Sequence, residues 1–69
     1  MPLTMASAGV LNTVKRITGK DDTKRFLASL GFVEGGTVMV VNELGGNIIV
    51  SVKDSRIALD KTMANRIIV

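Results

Sequence analysis

Two runs of strand-forming residues, Thr37-Val38-Met39-Val40-Val41-Asn42 and Asn47-Ile48-Ile49-Val50-Ser51-Val52, stand four residues apart, and nothing else in the chain limits its fold as sharply. β-Branched side chains crowd a helix but suit a pleated sheet. Between the runs lies Glu43-Leu44-Gly45-Gly46, whose glycine pair supplies the positive φ angles of a tight hairpin turn. The segment therefore predicts an antiparallel hairpin. Beyond it, Asp54-Ser55 turns the chain back into Arg56-Ile57-Ala58-Leu59, where period-two alternation directs Ile57 and Leu59 inward. Asp60 is placed to cap one short helical turn through Met63 and Ala64, and Arg66-Ile67-Ile68-Val69 follows as a final strand.

Upstream of the hairpin, residues 9–17 read as a first strand, with Val10 and Val14 on one face and Leu11 and Ile17 on the other. Gly19-Lys20 breaks that pattern. Asp21 is then positioned to N-cap a helix reaching about Leu30, and Asp22 adds negative charge at the positive end of the helix dipole. Phe26, Leu27 and Leu30 are expected to form its buried stripe. Gly31 supplies a left-handed stop, after which Phe32 packs back on Leu27, and Glu34-Gly35-Gly36 turns into the hairpin. The expected architecture is mainly β: a small barrel of about five strands, one helix inserted after the first strand, and a short helical turn before the last. No repeat, linker or low-complexity tract interrupts residues 1–69, which are read as one domain.

A chain of 69 residues buries only about 60% of the surface that its unfolded form exposes, so its stability margin is thin. With no Cys and no His, it has neither disulfides nor a histidine or thiolate metal site to compensate. Packing, and self-association, are what remain. Hydrophobic residues make up 46% but aromatic residues only 3%, so Val, Ile, Leu and Met carry the core. Val38, Val40, Ile48, Val50, Val52, Ile57, Leu59, Ile67 and Val69 fall on one strand parity, while Met39, Val41, Ile49 and Ile68 fall on the other. One barrel interior cannot hold both sets. Either the helix and the N-terminal segment cover the second set, or those residues form a contact surface.

The same composition removes most catalytic chemistry. Without His there is no imidazole base, and without Cys there is no thiolate nucleophile and no zinc knuckle. Asp21 and Asp22 are better explained by the start of a helix than by an active site, and Glu34, Glu43 and Asp54 sit in separate turns. Gly35-Gly36 and Gly45-Gly46 lack the spacing and the Lys-Ser/Thr of a phosphate-binding loop. The four Met residues serve packing and contact more readily than soft-metal binding. No catalytic residue, cofactor or metal ligand is expected. The N-terminal residues lack the basic start and apolar stretch of a signal peptide, and no apolar run approaches the roughly 20 residues of a transmembrane helix, so no membrane insertion is expected.

Read in order, Gly9, Val14 and Ile17, then residues 25–30 with Gly31-Phe32 and Gly35, then Val38 and Val40, and last Arg56-Ile57-Ala58-Leu59 with Ala64, Ile67 and Val69 form a spaced pattern. It resembles the FeoA family over essentially the whole chain. Glu34 stands where that family often has Pro, and Asp54 where it often has Gly, both in turns. The resemblance implies an SH3-like barrel and an accessory role to the FeoB-type ferrous iron transporter of bacteria. It further implies that iron is handled by the membrane partner. The barrel is also similar to the C-terminal domain of DtxR-type repressors, where it is fused to a DNA-binding region.

Two function classes follow. The first is a cytoplasmic docking module, peripheral at the inner membrane through its partner, that contacts the transporter's cytoplasmic GTPase region or an adjacent surface. The second is a nucleic-acid-binding barrel, suggested by a net charge of +3, a sequence pI near 9.8, and the cluster Lys15, Arg16, Lys20, Lys24 and Arg25. The scarcity of aromatic side chains for base stacking opposes this second reading. For docking, the residues singled out are Met39, Leu44, Gly45 and Gly46. They combine the surplus apolar parity with a hairpin tip that keeps a Leu.

Overall fold

A computed structural model describes residues 1–69. After a 3₁₀ turn at Leu3–Met5 come β1 (Leu11–Thr13), β2 (Arg16–Ile17), α1 (Asp21–Ser29), β3 (Thr37–Leu44), β4 (Asn47–Val52), β5 (Ser55–Asp60), α2 (Lys61–Ala64) and β6 (Ile67–Ile68). The strands form two antiparallel sheets, one of four strands in the order β1-β3-β4-β5 and one pairing β2 with β6. The fold is mainly β, as its alternating apolar runs require.

The central hairpin follows from local chemistry. Gly45 and Gly46 both take positive φ, +58° and +86°, which is the two-residue turn whose twist matches the strands it joins. Glu43 and Leu44 therefore belong to β3, paired with Ile48 and Asn47, rather than to the turn. At the next hairpin the turn residues are Lys53 and Asp54, with φ of 46° and 64°, so Ser55 already opens β5. Asp60 caps α2 as expected: its carboxylate accepts the Met63 N–H at 2.8 Å.

Residues 9–17 do not form one strand. The chain pairs with β3 over Leu11–Thr13, then turns at Val14-Lys15 and pairs with β6 over Arg16–Ile17. Val14 makes the switch: it is buried, and its N–H and carbonyl bond the Gly36 carbonyl and the Gly35 N–H, both at 2.8 Å. The segment thus serves both sheets. β6 is also flanked on its other side, where Pro2 bridges to Ile68 and the Val69 N–H donates to the Met1 carbonyl at 2.7 Å.

Helix α1 starts at Asp21 but is not capped by it. Lys20 holds the extended N-cap position and makes no side-chain cap bond, which puts Asp21 and Asp22 in the first turn, where their charge favours the dipole. Only Leu27 of the helix is fully buried, with Thr23 and Leu30 half-buried. Phe26 is 52% exposed, because 100° per residue carries it off the narrow inward face centred on Leu27. The helix ends as its sequence predicts. Gly31, at φ +107°, lets the Phe32 N–H reach the Leu27 carbonyl and the Gly31 N–H reach the Ala28 carbonyl, both at 3.0 Å. This is a Schellman stop, and Leu27 and Phe32 are both fully buried.

The core is drawn from nearly every element: Leu3, Val14, Leu27 and Phe32 from the N-terminal half, then Val38, Val40, Ile48, Val50, Val52 and Leu59 from the large sheet, with Ala64, Ile67 and Val69 closing it. No polar side chain is buried.

Gly31→Val is expected to destabilise the fold by about 1 kcal/mol or more, since a β-branched residue is strained at positive φ. Its Cβ would also meet the Lys53 stem at 3.3 Å. Chemical denaturation reads the loss; an unchanged midpoint would contradict it. At α2, Asp60→Ala should cost about 1 kcal/mol and Asp60→Asn far less, because Asn keeps the capping oxygen.

Candidate docking surface

Antiparallel pairing places the outward side chains of β1, β3, β4 and β5 in rows. Leu11, Met39, Ser51 and Arg56 form one row, Asn42, Ile49 and Ala58 the next, and Leu44, Asn47 and Asp60 the third, at the hairpin tip. Met39 and Leu44 are five residues apart, and strict alternation would send them to opposite faces. A β-bulge resolves this. The register shifts between Val40 and Asn42, so Val41 is an extra residue and the remainder of β3 changes parity. Met39, paired with Ser51, and Leu44, paired with Asn47, consequently share the outer face.

Among the polar residues of these rows runs an incompletely covered apolar strip. Met39, Val41 and Ile49 are half-buried, and Leu11 and Leu44 are each 67% exposed. Of the second apolar set, only Ile68 lies elsewhere, on the small sheet beside Pro2. The N-terminal segment pairs with Ile68 there through the bridge at Pro2, and Ile68 is half-buried. At the tip, Gly45 and Gly46 have open space where a Cβ would stand. Met39 lies two rows from the tip, so the four residues singled out from sequence share one face but do not form one cluster. Leu11 extends the apolar strip at the β1 edge. The sequence gives no sign of this, because only the pairing of Leu11 with Met39 brings it there.

The electrostatics around the face are mild. Lys61 pairs with Glu43 at 2.6 Å beside the tip, with both side chains more than half exposed, which makes the pair of little energetic consequence. No pocket opens on the molecule, and no three acidic residues gather as a metal cage would require. No helix is long and apolar enough to cross a membrane. What the arrangement offers is an exposed apolar strip among polar side chains with an open glycine turn at one end, suited to contact with another macromolecule.

A family model described as the FeoA domain matches residues 1–69. The chain belongs to the FeoA family. Its structure is similar to the crystal structure of an iron uptake regulatory protein, FeoA, with 31% identity, a TM-score of 0.88, and coverage of 97% of this chain and 91% of that one. It is likewise similar to FeoA of Stenotrophomonas maltophilia, crystallised with zinc and described as an SH3 domain protein. There the identity is 30% and the TM-score 0.84, with 99% of this chain and 87% of the other covered. A manganese-dependent transcriptional repressor shares the fold at 26% identity and a TM-score of 0.84, but this chain spans only 39% of its length. Among proteins with curated functions, none matches. FeoA membership makes the chain a small SH3-like accessory of ferrous iron transport.

Leu44→Glu and Leu11→Glu should leave thermal unfolding within about 0.5 kcal/mol of the parent, since both side chains already face water. A larger loss for either would place that residue in the core.

Proposed function

We propose that this FeoA-family chain is a non-catalytic, cytoplasmic regulator of ferrous iron uptake that docks on a FeoB-type transporter through the outer face of its large sheet. The observation that carries this reading is the bulge at Val41, which lines up Met39 and Leu44 on one face with Ile49 and Leu11. A soluble domain that only needed to fold would gain nothing from half-exposed Met39, Val41 and Ile49 beside two open leucines.

Leu11, Met39 and Leu44 supply apolar contact, and the Gly45-Gly46 turn lets a partner's backbone approach closely. The partner surface is the cytoplasmic GTPase region or its surroundings, and the ferrous ion itself stays with the transporter. Contact of this kind alters the partner's conformational equilibrium only through a difference in affinity between its states.

Leu44→Glu is expected to weaken binding to the cytoplasmic region of a FeoB-type transporter from the same bacterium by about tenfold or more. A carboxylate costs little in water and much in a desolvated apolar contact. Calorimetric titration of parent and variant, with thermal unfolding on the same samples, reads both quantities. Undiminished affinity would move the interface off this face, and no binding by the parent in any nucleotide state would remove the transporter as partner.

A further inference from the structure

We propose that β5 is a self-recognition strand, through which two copies of this chain pair antiparallel about a two-fold axis at Ala58. β5 is the outermost strand of the four-stranded sheet, with β4 on one side only. The two-residue Lys53-Asp54 turn closes on the pair Val52 and Ser55, so Ser55, Ile57 and Leu59 direct their main-chain groups toward β4. Arg56, Ala58 and Asp60 then aim theirs at the open side. All three residues are exposed, and no main-chain hydrogen bond from a turn, loop or cap reaches β5.

The edge is also regular. The pairing of β4 with β5 runs over six residue pairs without a bulge, which leaves an unbroken template of the kind that proteins usually interrupt with bulges or like charges. Here the charges are opposite and evenly placed, Arg56 two residues before Ala58 and Asp60 two residues after it. Pairing about Ala58 sets Ala58 against its own copy and Arg56 against Asp60 twice over. Sliding one strand by two residues opposes Arg56 or Asp60 to Ala58 and loses both ion pairs, and a slide of four opposes like charges, Arg56 to Arg56 or Asp60 to Asp60. The sequence is therefore self-complementary in one register, and a small side chain sits at its axis.

In that register the Ala58 pair exchanges two main-chain hydrogen bonds. Each flanking pair adds one, from the Asp60 N–H to the Arg56 carbonyl, because the Asp60 carbonyl is turned into α2 as its N-cap. On the inner side, half-buried Ile57 lies level with Leu59 of the second copy, whose side chain is already in its own core. The contact is small, so association depends on concentration. The two-fold axis lies along the sheet normal, and both outer apolar faces end on the same side of one eight-stranded sheet. The inference does not depend on which transporter, if any, the chain binds.

Sedimentation velocity of the full chain from micromolar to millimolar concentration should show the weighted mass rising from 7.3 kDa toward twice that value. Amide exchange at Arg56 and Ala58 should slow over the same range. Ala58→Lys places like charges at the axis and Arg56→Glu opposes two carboxylates, so each should raise the dimer dissociation constant about tenfold or more, with an unchanged melting temperature at dilutions where the parent is monomeric. A monomer at every concentration would overturn the proposal. So would a dimer whose Arg56 and Ala58 amides are indifferent to concentration, or one that both variants leave intact.

Discussion

Register in the β3–β4 pair is the constraint from which the rest of the molecule descends. The glycine turn fixes which residues oppose each other at the tip, and the bulge at Val41 resets the parity midway. Val38 and Val40 below the bulge, with Ile48, Val50 and Val52 across from β3, then all point to the core. Slipping this pair by one residue would turn every one of those side chains into water. β1 and β5 add their residues to faces already defined by that register, and α1 closes the core with a single buried contact residue, Leu27.

The interior was legible in the sequence because its signals are local and redundant. Gly45-Gly46, Gly31-Phe32 and Asp60 each specify one backbone geometry through their own chemistry, and each stands in the structure as that chemistry demands. The errors share a different origin. Asp21 and Lys20 differ by one residue as helix starts, a distinction that side-chain preference is too coarse to make. Residues 9–17 carry a plausible alternation for one strand, and only their partners, β3 on one side and β6 on the other, divide them. Phe26 stands at helical spacing from Leu30, but the buried face centres on Leu27 and leaves it exposed.

The outer face was half legible. Surplus apolar residues on the second parity announce that something beyond a core is present, and Met39, Val41 and Ile49 are where that surplus puts them. Leu44 lies on that face only because of the bulge, which has no glycine or proline to mark it, and Leu11 because of a pairing between residues 28 apart in sequence. A surface of this kind is assembled by tertiary register.

The placement of β6 has a consequence for how the chain reaches its native state. This two-residue strand is held between β2 and the first residues of the chain, so its partners lie roughly fifty residues and nearly the full chain length away. Closing loops of that size costs chain entropy before any contact is made, and two residues return little for it. The β3–β4–β5 meander, by contrast, is joined by two-residue turns and can form early. Folding should therefore run from the middle of the sequence outward, with the barrel sealed last. By the same reasoning local opening should begin at this seal, exposing Ile67 and Leu3 while the β3–β4–β5 meander stays paired.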